Sequence, residues 1–451
     1  MKIDNRTSRR FFSGIKIYCL LFNLFAVTQS LAGVAEWTIL IYAQAKNSLS
    51  SFAHKNFHDM SLVGSNKDLN LLVQWYQPDQ QGVWRYKIEK GRLDLDVCLP
   101  TATDGNSSQD LVDAMQWAVS KCPAKKYGLI LWNHGIGILD PVWGNSMQMV
   151  SPKVVRNNPR IQIAGITTKE YDLSDLQSQT SQLLAHRGIL FNEHSKTYMN
   201  NQSLSKALFD IKRDVLNDKK IDLLGMDACL MAMVEVGYQV RNYADYLVGS
   251  QEVELAYGWN YSDFLQGLVK NKLSPMEAAQ AVVLTYEMYY KNKIQFYTQS
   301  AIDLSKIQLL KKSIDQVVVN IATCKAADNA NFVNVVKKAR GRCVQFSTAS
   351  YIDLHSFLLE LSKQVTETYE RNNSRRDALL MVKLDALRES LNTSARIIED
   401  VVVANTRGKC LERAKGLSIY FPQGCIDNSY PKTEFAQECS WFNFLQDILQ
   451  K

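Results

Sequence analysis

A cysteine and a histidine each follow an apolar run that is typical of a buried strand. Cys229 ends the stretch Ile221–Cys229, and His134 ends Tyr127–His134, with Gly135 immediately after it. A thiol attacks a carbonyl only as the thiolate, and a nearby imidazole can accept its proton and return it to a leaving amine. Because the carboxyl ends of parallel strands meet at one edge of a sheet, we expect a nucleophile and base there. A buried structural cysteine and a hydrogen-bonded histidine are the commoner alternative for this spacing alone.

The residues that follow Cys229 would also favour its reactivity. The pattern Leu230–Asn242 predicts a helix that begins directly after the cysteine, and the dipole at a helix amino terminus stabilises a thiolate. The backbone amides of Cys229 and Gly135 could bind the oxyanion of a tetrahedral intermediate. A glycine suits this role because it lets the backbone approach a ligand closely.

The elements that must position these residues alternate along the chain from Glu36 to about Ser250. Near-continuous apolar strands separated by amphipathic helices predict an α/β fold with a mostly parallel sheet flanked by helices. The predicted strands are Trp37–Ala43, Leu69–Trp75, Gly128–Trp132, Ile221–Met226 and Tyr246–Ser250, with a hairpin of Trp84–Glu89 and Leu93–Val97. The predicted helices are Ser48–Met60, Ser108–Lys121, Ser203–Leu216 and Leu230–Asn242.

The pattern changes at both ends of this region. After about residue 295, long helices predicted at Ser305–Cys324, Ile352–Tyr369 and Arg375–Asn405 and a strand at Gly416–Pro422 indicate a mixed α/β domain over 296–451. The first domain spans 33–295 and contains a long polar segment, 141–187, with five basic residues. A loop of this length is functional, for example as a processing site, or a surface insertion.

The first 32 residues predict export. Five basic residues precede the apolar run Ile17–Val27, and Ser30 and Ala32 offer small side chains for cleavage, as in a secretory signal peptide. The alternative is an uncleaved membrane anchor, although the run is short for a span. Loss of this segment, which carries five positive charges and one negative, would lower the net charge of +7 to about +3. That balance does not favour a nucleic-acid partner.

The nine cysteines allow disulfides after export, but their spacing does not fix any pairing. The sequence contains no CxxC pair and no histidine cluster that would indicate a structural metal site.

Several motifs together resemble one family of enzymes. In order along the chain they are Trp37-Thr-Ile-Leu-Ile-Tyr-Ala, Val73-Gln-Trp-Tyr, Leu131-Trp-Asn-His-Gly, Gly225-Met-Asp-Ala-Cys-Leu-Met-Ala-Met-Val-Glu-Val, Tyr243-Ala-Asp-Tyr-Leu-Val-Gly-Ser-Gln-Glu and Gly416-Leu-Ser-Ile-Tyr-Phe-Pro. This set resembles the clostripain family of cysteine peptidases, in the clan of caspases, legumains and gingipains, over residues 36–422. The resemblance implies a caspase-like fold and endopeptidase activity, with His134 as the catalytic histidine and Cys229 as the nucleophile.

The resemblance also implies a preference at the residue before the cleaved bond. The family typically cleaves after Arg or Lys, which enter an acidic pocket, and Asp227 matches one acid of that pocket. Tyr257 stands where a second acid is usual, although Glu252 and Glu254 lie nearby. We therefore expect cleavage after basic residues with relaxed specificity. Asp227 has an alternative role as a turn residue that caps the following helix.

Other properties follow from the resemblance alone. Family members often mature by self-cleavage between the histidine and the cysteine, an interval that holds the 141–187 segment. The sequence requires no cofactor. Some family members depend on calcium, but this sequence contains no EF-hand loop that would locate a calcium site. The expected partners are protein or peptide substrates, with no stable membrane span after signal removal and an unknown oligomeric state. The alternatives are an inactive caspase-like binding protein and a transpeptidase or ligase that uses the same acyl-enzyme.

Overall fold

The computed structural model describes residues 34–78, 82–100, 103–141, 188–369 and 378–449. The predicted signal peptide and the segment 142–187 lie outside these residues. The strands are β1 (Ala35–Gln44), β2 (Leu69–Tyr76), β3 (Val83–Glu89), β4 (Arg92–Leu99), β5 (Ala124–Trp132), β6 (Ile189–Asn192), β7 (Thr197–Met199), β8 (Ile221–Asp227), β9 (Ala244–Gly249), β10 (Thr298–Asp303), β11 (Tyr351–Asp353), β12 (Val402–Arg407) and β13 (Ser418–Tyr420).

The helices follow the strands on both sides of the sheet. They are α1 (Ser50–Ser61), α2 (Ser108–Lys121), α3 (Asn201–Asp210), α4 (Val234–Val240), α5 (Tyr261–Asn271), α6 (Pro275–Tyr290), α7 (Ile307–Ala327), α8 (Asn329–Arg342), α9 (Leu354–Tyr369), α10 (Ala378–Val401), α11 (Glu434–Glu438) and α12 (Trp441–Leu449). A five-residue π-helical turn, Ile211–Val215, extends α3. No helix of the described residues has the length and apolar character that crossing a membrane requires.

A nine-stranded sheet organises the molecule, in the order β12-β10-β9-β8-β5-β1-β2-β3-β4. The five central strands, from β9 to β2, run parallel to one another. An antiparallel pair closes each side, β3 with β4 and β10 with β12. The mostly parallel α/β sheet predicted from the alternation of strands and helices is thus confirmed.

Alternate side chains of the central strands enter two separate cores, as the period of a strand requires. Leu40 of β1 and Leu224 of β8 lie in the core that α2, α3 and α4 share with the C-terminal helices. Ile41 and Leu223, their neighbours in the sequence, lie in the opposite core beneath α1, α5 and α6. Because both faces are covered, ligands can reach the sheet only at its edges.

The predicted boundary at residue 295 falls between two strands of one sheet. β10 pairs with β9 and with β12, so that residues after 295 continue the sheet begun by the first domain. The division into domains stays a prediction. Helix α10 ends at Val401, whereas a helix was predicted up to Asn405, because Val402–Arg407 pairs with β10 instead.

The prediction of a helix directly after Cys229 is wrong. Helix α4 begins at Val234, and a turn with Leu230 at a φ of 64° precedes it. The amide of Leu230 donates to the Glu252 carbonyl at 3.1 Å, and that of Ala232 donates to the Ser250 carbonyl at 2.9 Å. These tertiary hydrogen bonds take the place of the first helical turn, so Cys229 does not lie at a helix amino terminus.

Candidate active site

The segments that carry His134 and Cys229 lie side by side at the carboxyl edge of the sheet. Strands β5 and β8 are parallel neighbours, with Trp132 paired to Asp227. His134 and Cys229 each follow their strand's paired residue by two positions, so both leave the sheet at the same level. The contact continues past the strands, because a Cβ placed on Gly135 would lie 2.5 Å from the carbonyl oxygen of Cys229.

A buried asparagine fixes the backbone at His134. The side-chain oxygen of Asn133 accepts hydrogen bonds from the amides of His134 and, at 3.0 Å, Phe191. Its amide nitrogen donates to the carbonyls of Gln44 and, at 3.1 Å, Phe191. Its side chain therefore joins the end of β5 to β1 and β6, and its backbone amide donates to the Asp227 carbonyl of β8 at 3.3 Å. Sequence reasoning missed Asn133, although its place before the histidine was visible.

A distant tyrosine holds the loop that follows His134. The hydroxyl of Tyr351, at the start of β11, donates to the Ile136 carbonyl at 2.6 Å and accepts from the Leu139 amide at 3.4 Å. The C-terminal region thus shapes the histidine loop directly. No sequence signal indicated this contact, because more than 200 residues separate Tyr351 from Ile136.

Cys229 is half-buried as a residue, and its thiol contacts the backbone of Glu254. The Glu254 amide donates to the sulfur at 3.3 Å, and the thiol donates to the Glu254 carbonyl at 3.7 Å. Burial is the main cause that raises the pKa of Cys229 to about 12, against the hydrogen bond from Glu254. The negative charges of Glu254, Glu252 and Asp227 add to the rise. The thiol of this arrangement is therefore protonated at neutral pH, contrary to the helix-dipole expectation.

Two of the predicted pocket acids form a buried pair. Asp227 Oδ2 accepts from the Tyr261 hydroxyl at 2.7 Å and the Trp259 amide at 3.4 Å. Glu254 accepts from the Ala228 amide at 2.8 Å, the Trp259 indole at 2.7 Å and the Gln299 amide group at 3.2 Å.

Burial and mutual repulsion shape the ionisation of this pair. Burial is the main cause that raises the pKa of Asp227, to about 7. Burial, followed by the charge of Asp227, raises the pKa of Glu254 well above its usual value. Both carboxyl groups therefore favour the neutral form more than an exposed acid does, and the charge on Asp227 disfavours a second charge on Glu254. The helix-cap alternative for Asp227 does not apply, since its Oδ2 accepts from Trp259 and Tyr261, and α4 begins at Val234 without a side-chain cap.

The other two predicted pocket residues do not join this pair. Both oxygens of Glu252 accept from the Ser347 amide, at 3.2 and 3.1 Å, which ties the end of β9 to the segment before β11. The Tyr257 ring lies against α1, with its centre 5.3 Å from that of Phe52 and 5.5 Å from the Lys55 ammonium nitrogen. Glu252 therefore has a structural contact, and the aromatic face of Tyr257 is already occupied.

Two backbone amides near the thiol are available to a ligand. Within the described ranges, the amides of Gly135 and Cys229 donate no hydrogen bond. Buried amides are normally paired. Their lack of an acceptor agrees with the oxyanion-binding role expected of them.

Neither a metal-ligand cluster nor a disulfide occurs among the described residues. The part of the chain that the structure describes holds no group of three or more His, Cys, Asp or Glu side chains suited to a metal ion. All eight cysteines within it are free thiols. Two surface clefts, of about 380 and 450 Å³, lie elsewhere, one beside α11 and α12 and one at the amino ends of β5 and β8.

Comparisons with known proteins identify the family of this chain. The model of the clostripain family matches residues 174–447. Clostripain of Hathewaya histolytica is 22% identical over 480 residues, which cover 91% of this chain and 80% of that protein.

Two solved structures share the fold. A secreted C11 cysteine protease from Bacteroides thetaiotaomicron, bound to an irreversible peptide inhibitor, aligns with a TM-score of 0.58 and 18% identity over 91% of this chain and 99% of that one. An inactive zymogen C11 protease from Parabacteroides distasonis aligns with a TM-score of 0.58 and 17% identity over 93% and 100% of the respective chains. The caspase-like fold is thereby confirmed.

Proposed function

The chain belongs to the clostripain family and is a cysteine endopeptidase, and we propose that Cys229 is its nucleophile and His134 its general base. The observation that carries this proposal is the pairing of β5 with β8, which delivers both residues to one edge of the sheet. The contact between Gly135 and the Cys229 carbonyl supports the same assignment.

The proposed reaction is acyl transfer to sulfur followed by hydrolysis. His134 takes the thiol proton, and the Cys229 sulfur attacks the carbonyl carbon of the scissile bond. The amides of Gly135 and Cys229 stabilise the oxyanion. The protonated imidazole then gives its proton to the leaving amine. Water, activated by His134, hydrolyses the thioester and restores the thiol.

We assign the preference for Arg or Lys to Asp227 and Glu254. The second oxygen of Asp227, Oδ1, accepts no hydrogen bond from the described residues. Gln299 donates to Glu254 through its side-chain nitrogen, and its side-chain oxygen is buried and accepts no hydrogen bond from the described residues. An ammonium or guanidinium group would supply both donors and positive charge. Glu254 would then take the role of the acid that Tyr257 replaces.

Three further properties are part of the proposal. The amino-terminal segment would direct export, which agrees with the description of the Bacteroides relative as secreted. Self-cleavage in 141–187 would activate the chain, and the raised pKa of Cys229 supports a latent starting form. Calcium dependence stays a prediction, tested by comparing activity with a calcium chelator and with added calcium.

The central test compares single substitutions on the mature chain. Cys229→Ala and His134→Ala should each lower kcat by about 10³ or more on peptides that end in Arg or Lys before the cleaved bond. Cys410→Ala, which removes an exposed thiol whose partner is Gln295 rather than a site residue, is the matched control and should retain wild-type kcat. Full activity of Cys229→Ala on these peptides would contradict the proposed nucleophile.

A further inference from the structure

Acidic groups surround the Cys229 thiol from two segments. Asp227 approaches from the end of β8, and Glu252 and Glu254 approach from the segment after β9. Within the described parts of the chain, no lysine or arginine donates to any of these three carboxyl groups. Among the described residues, the charged groups that act on the Cys229 thiol are thus the negative Glu254, Glu252 and Asp227.

The neighbours of the acid pair do not offset this charge. Three buried tyrosines from α5 and α6 feel the charges of Asp227 and Glu254, namely Tyr261, Tyr286 and Tyr290. Each has a raised pKa, so it is neutral near pH 7. A positive charge at the pair must therefore come from outside the described residues.

One residue joins the thiol to the acid pair. The main chain of Glu254 contacts the Cys229 sulfur through both its amide and its carbonyl. Its side chain turns to Asp227 and to the amide of Ala228, the residue before the cysteine. A charge within about 4–6 Å shifts the pKa of a neighbouring group by about 1–3 units. A change of charge at this carboxylate is thus felt at the sulfur.

We propose that Glu254 couples the two sites, so that a cation bound at the Asp227–Glu254 pair converts Cys229 from an unreactive thiol to a reactive thiolate. The inference rests on the proposed peptidase function. The cation adds its positive charge beside Asp227 and Glu254 and thereby offsets the negative charge that this pair presents to the thiol. The thiol proton passes to His134. A substrate with a neutral side chain at this position meets a protonated thiol, so selection acts on kcat as well as on KM.

The experiment measures the reactivity of Cys229 without substrate turnover. The full mature chain is alkylated with iodoacetamide from about pH 5 to about pH 10, and modification of Cys229 is followed by mass spectrometry of its peptide. The probes are methylguanidinium, which imitates the end of an arginine, and methylurea, a neutral molecule of the same shape. Methylguanidinium should shift the profile to lower pH by about one unit or more, which is about a tenfold gain in rate on the rising limb. Methylurea should leave it unchanged.

Two variants locate the effect. Glu254→Gln should shift the profile to lower pH without any probe, and methylguanidinium should then add less than it does to wild type. Glu235→Gln removes another buried carboxyl group, which bonds the Tyr420 amide rather than the thiol segment, and should keep the wild-type profile. If Glu254→Gln does not fold, the comparison of the two probes on wild type decides alone.

The outcomes separate this inference from the function on which it rests. A wild-type profile that methylguanidinium leaves unchanged, or a folded Glu254→Gln with an unshifted profile, would overturn the coupling. A chain that still cleaves peptides under either outcome would retain its proposed function. Conversely, a profile that responds as expected in a chain that hydrolyses no peptide would refute the proposed function and leave the coupling.

Discussion

Substitution of Gly135 by alanine should damage the reaction far more than the fold. The added Cβ would lie 2.5 Å from the Cys229 carbonyl oxygen, 3.0 Å from Met231 Sδ and 3.1 Å from Ala228 Cβ. The nearest of these atoms belongs to the backbone and cannot rotate away, so the histidine and cysteine turns must separate. Overpacking of this kind costs about 1–3 kcal/mol of unfolding free energy.

The catalytic loss should be larger than this cost. A displacement of about 1 Å between reacting groups lowers the rate by about 100-fold, and loss of one oxyanion donor costs about 10²–10³ in kcat. We expect Gly135→Ala to lower kcat/KM by about 100-fold or more, measured on an Arg peptide, while denaturant unfolding reports the stability.

The control for this substitution is Gly341→Ala. Gly341 lies in α8, and an added Cβ would meet no atom within 4 Å. Alanine should stabilise this helix by about 0.5–1 kcal/mol and leave kcat/KM unchanged. A Gly135→Ala variant with wild-type kcat/KM would refute the close apposition of the two turns.

Three further predictions concern charge, specificity and processing. Burial raises the pKa of Glu235 from 4.5 to about 7, so its stabilising contribution is full below about pH 4.5 and declines by about 3 kcal/mol as the pH rises through 7. Glu235→Gln should flatten this part of the dependence of unfolding free energy on pH. Glu254→Gln should lower the selectivity for Arg and Lys over neutral residues by about tenfold in a peptide panel, whereas Tyr257→Phe, which keeps the ring on α1, should not change it. Fragment mapping by mass should find a first cut within 141–187 in wild type but not in Cys229→Ala. An uncut, fully active chain would contradict the maturation step.

The parts of the fold that local sequence determines were predictable. β1 and β8 are continuous apolar runs, and α2 spans Ser108–Lys121 as predicted because Ser107 and Asp110 form a capping box at its start. The start of α4 was not predictable, because it depends on bonds from the Cys229 turn to residues about 20 positions later. Val402–Arg407 continues a helical pattern but finds a strand partner in β10.

The candidate site divides in the same way. Strand ends and a resemblance to known motifs were enough to select His134 and Cys229. The arrangement of the acids was not accessible, since Glu252 and Glu254 are two positions apart and differ only in their tertiary partners, Ser347 for one and Ala228 for the other. The environment of the thiol therefore had to come from the structure.

The adjacency of β5 and β8 has a consequence for any chain cut between residues 141 and 188. The amino-terminal piece would hold β5 and the carboxyl-terminal piece β8, two interior strands that pair along their length. Apart, each piece would present a long unpaired apolar edge, a template for aggregation. The nicked protein should thus remain one particle, and the two pieces, produced together as separate polypeptides, should assemble into it. Cleavage there would break the chain, but the pairing of β5 with β8 would hold the two pieces together.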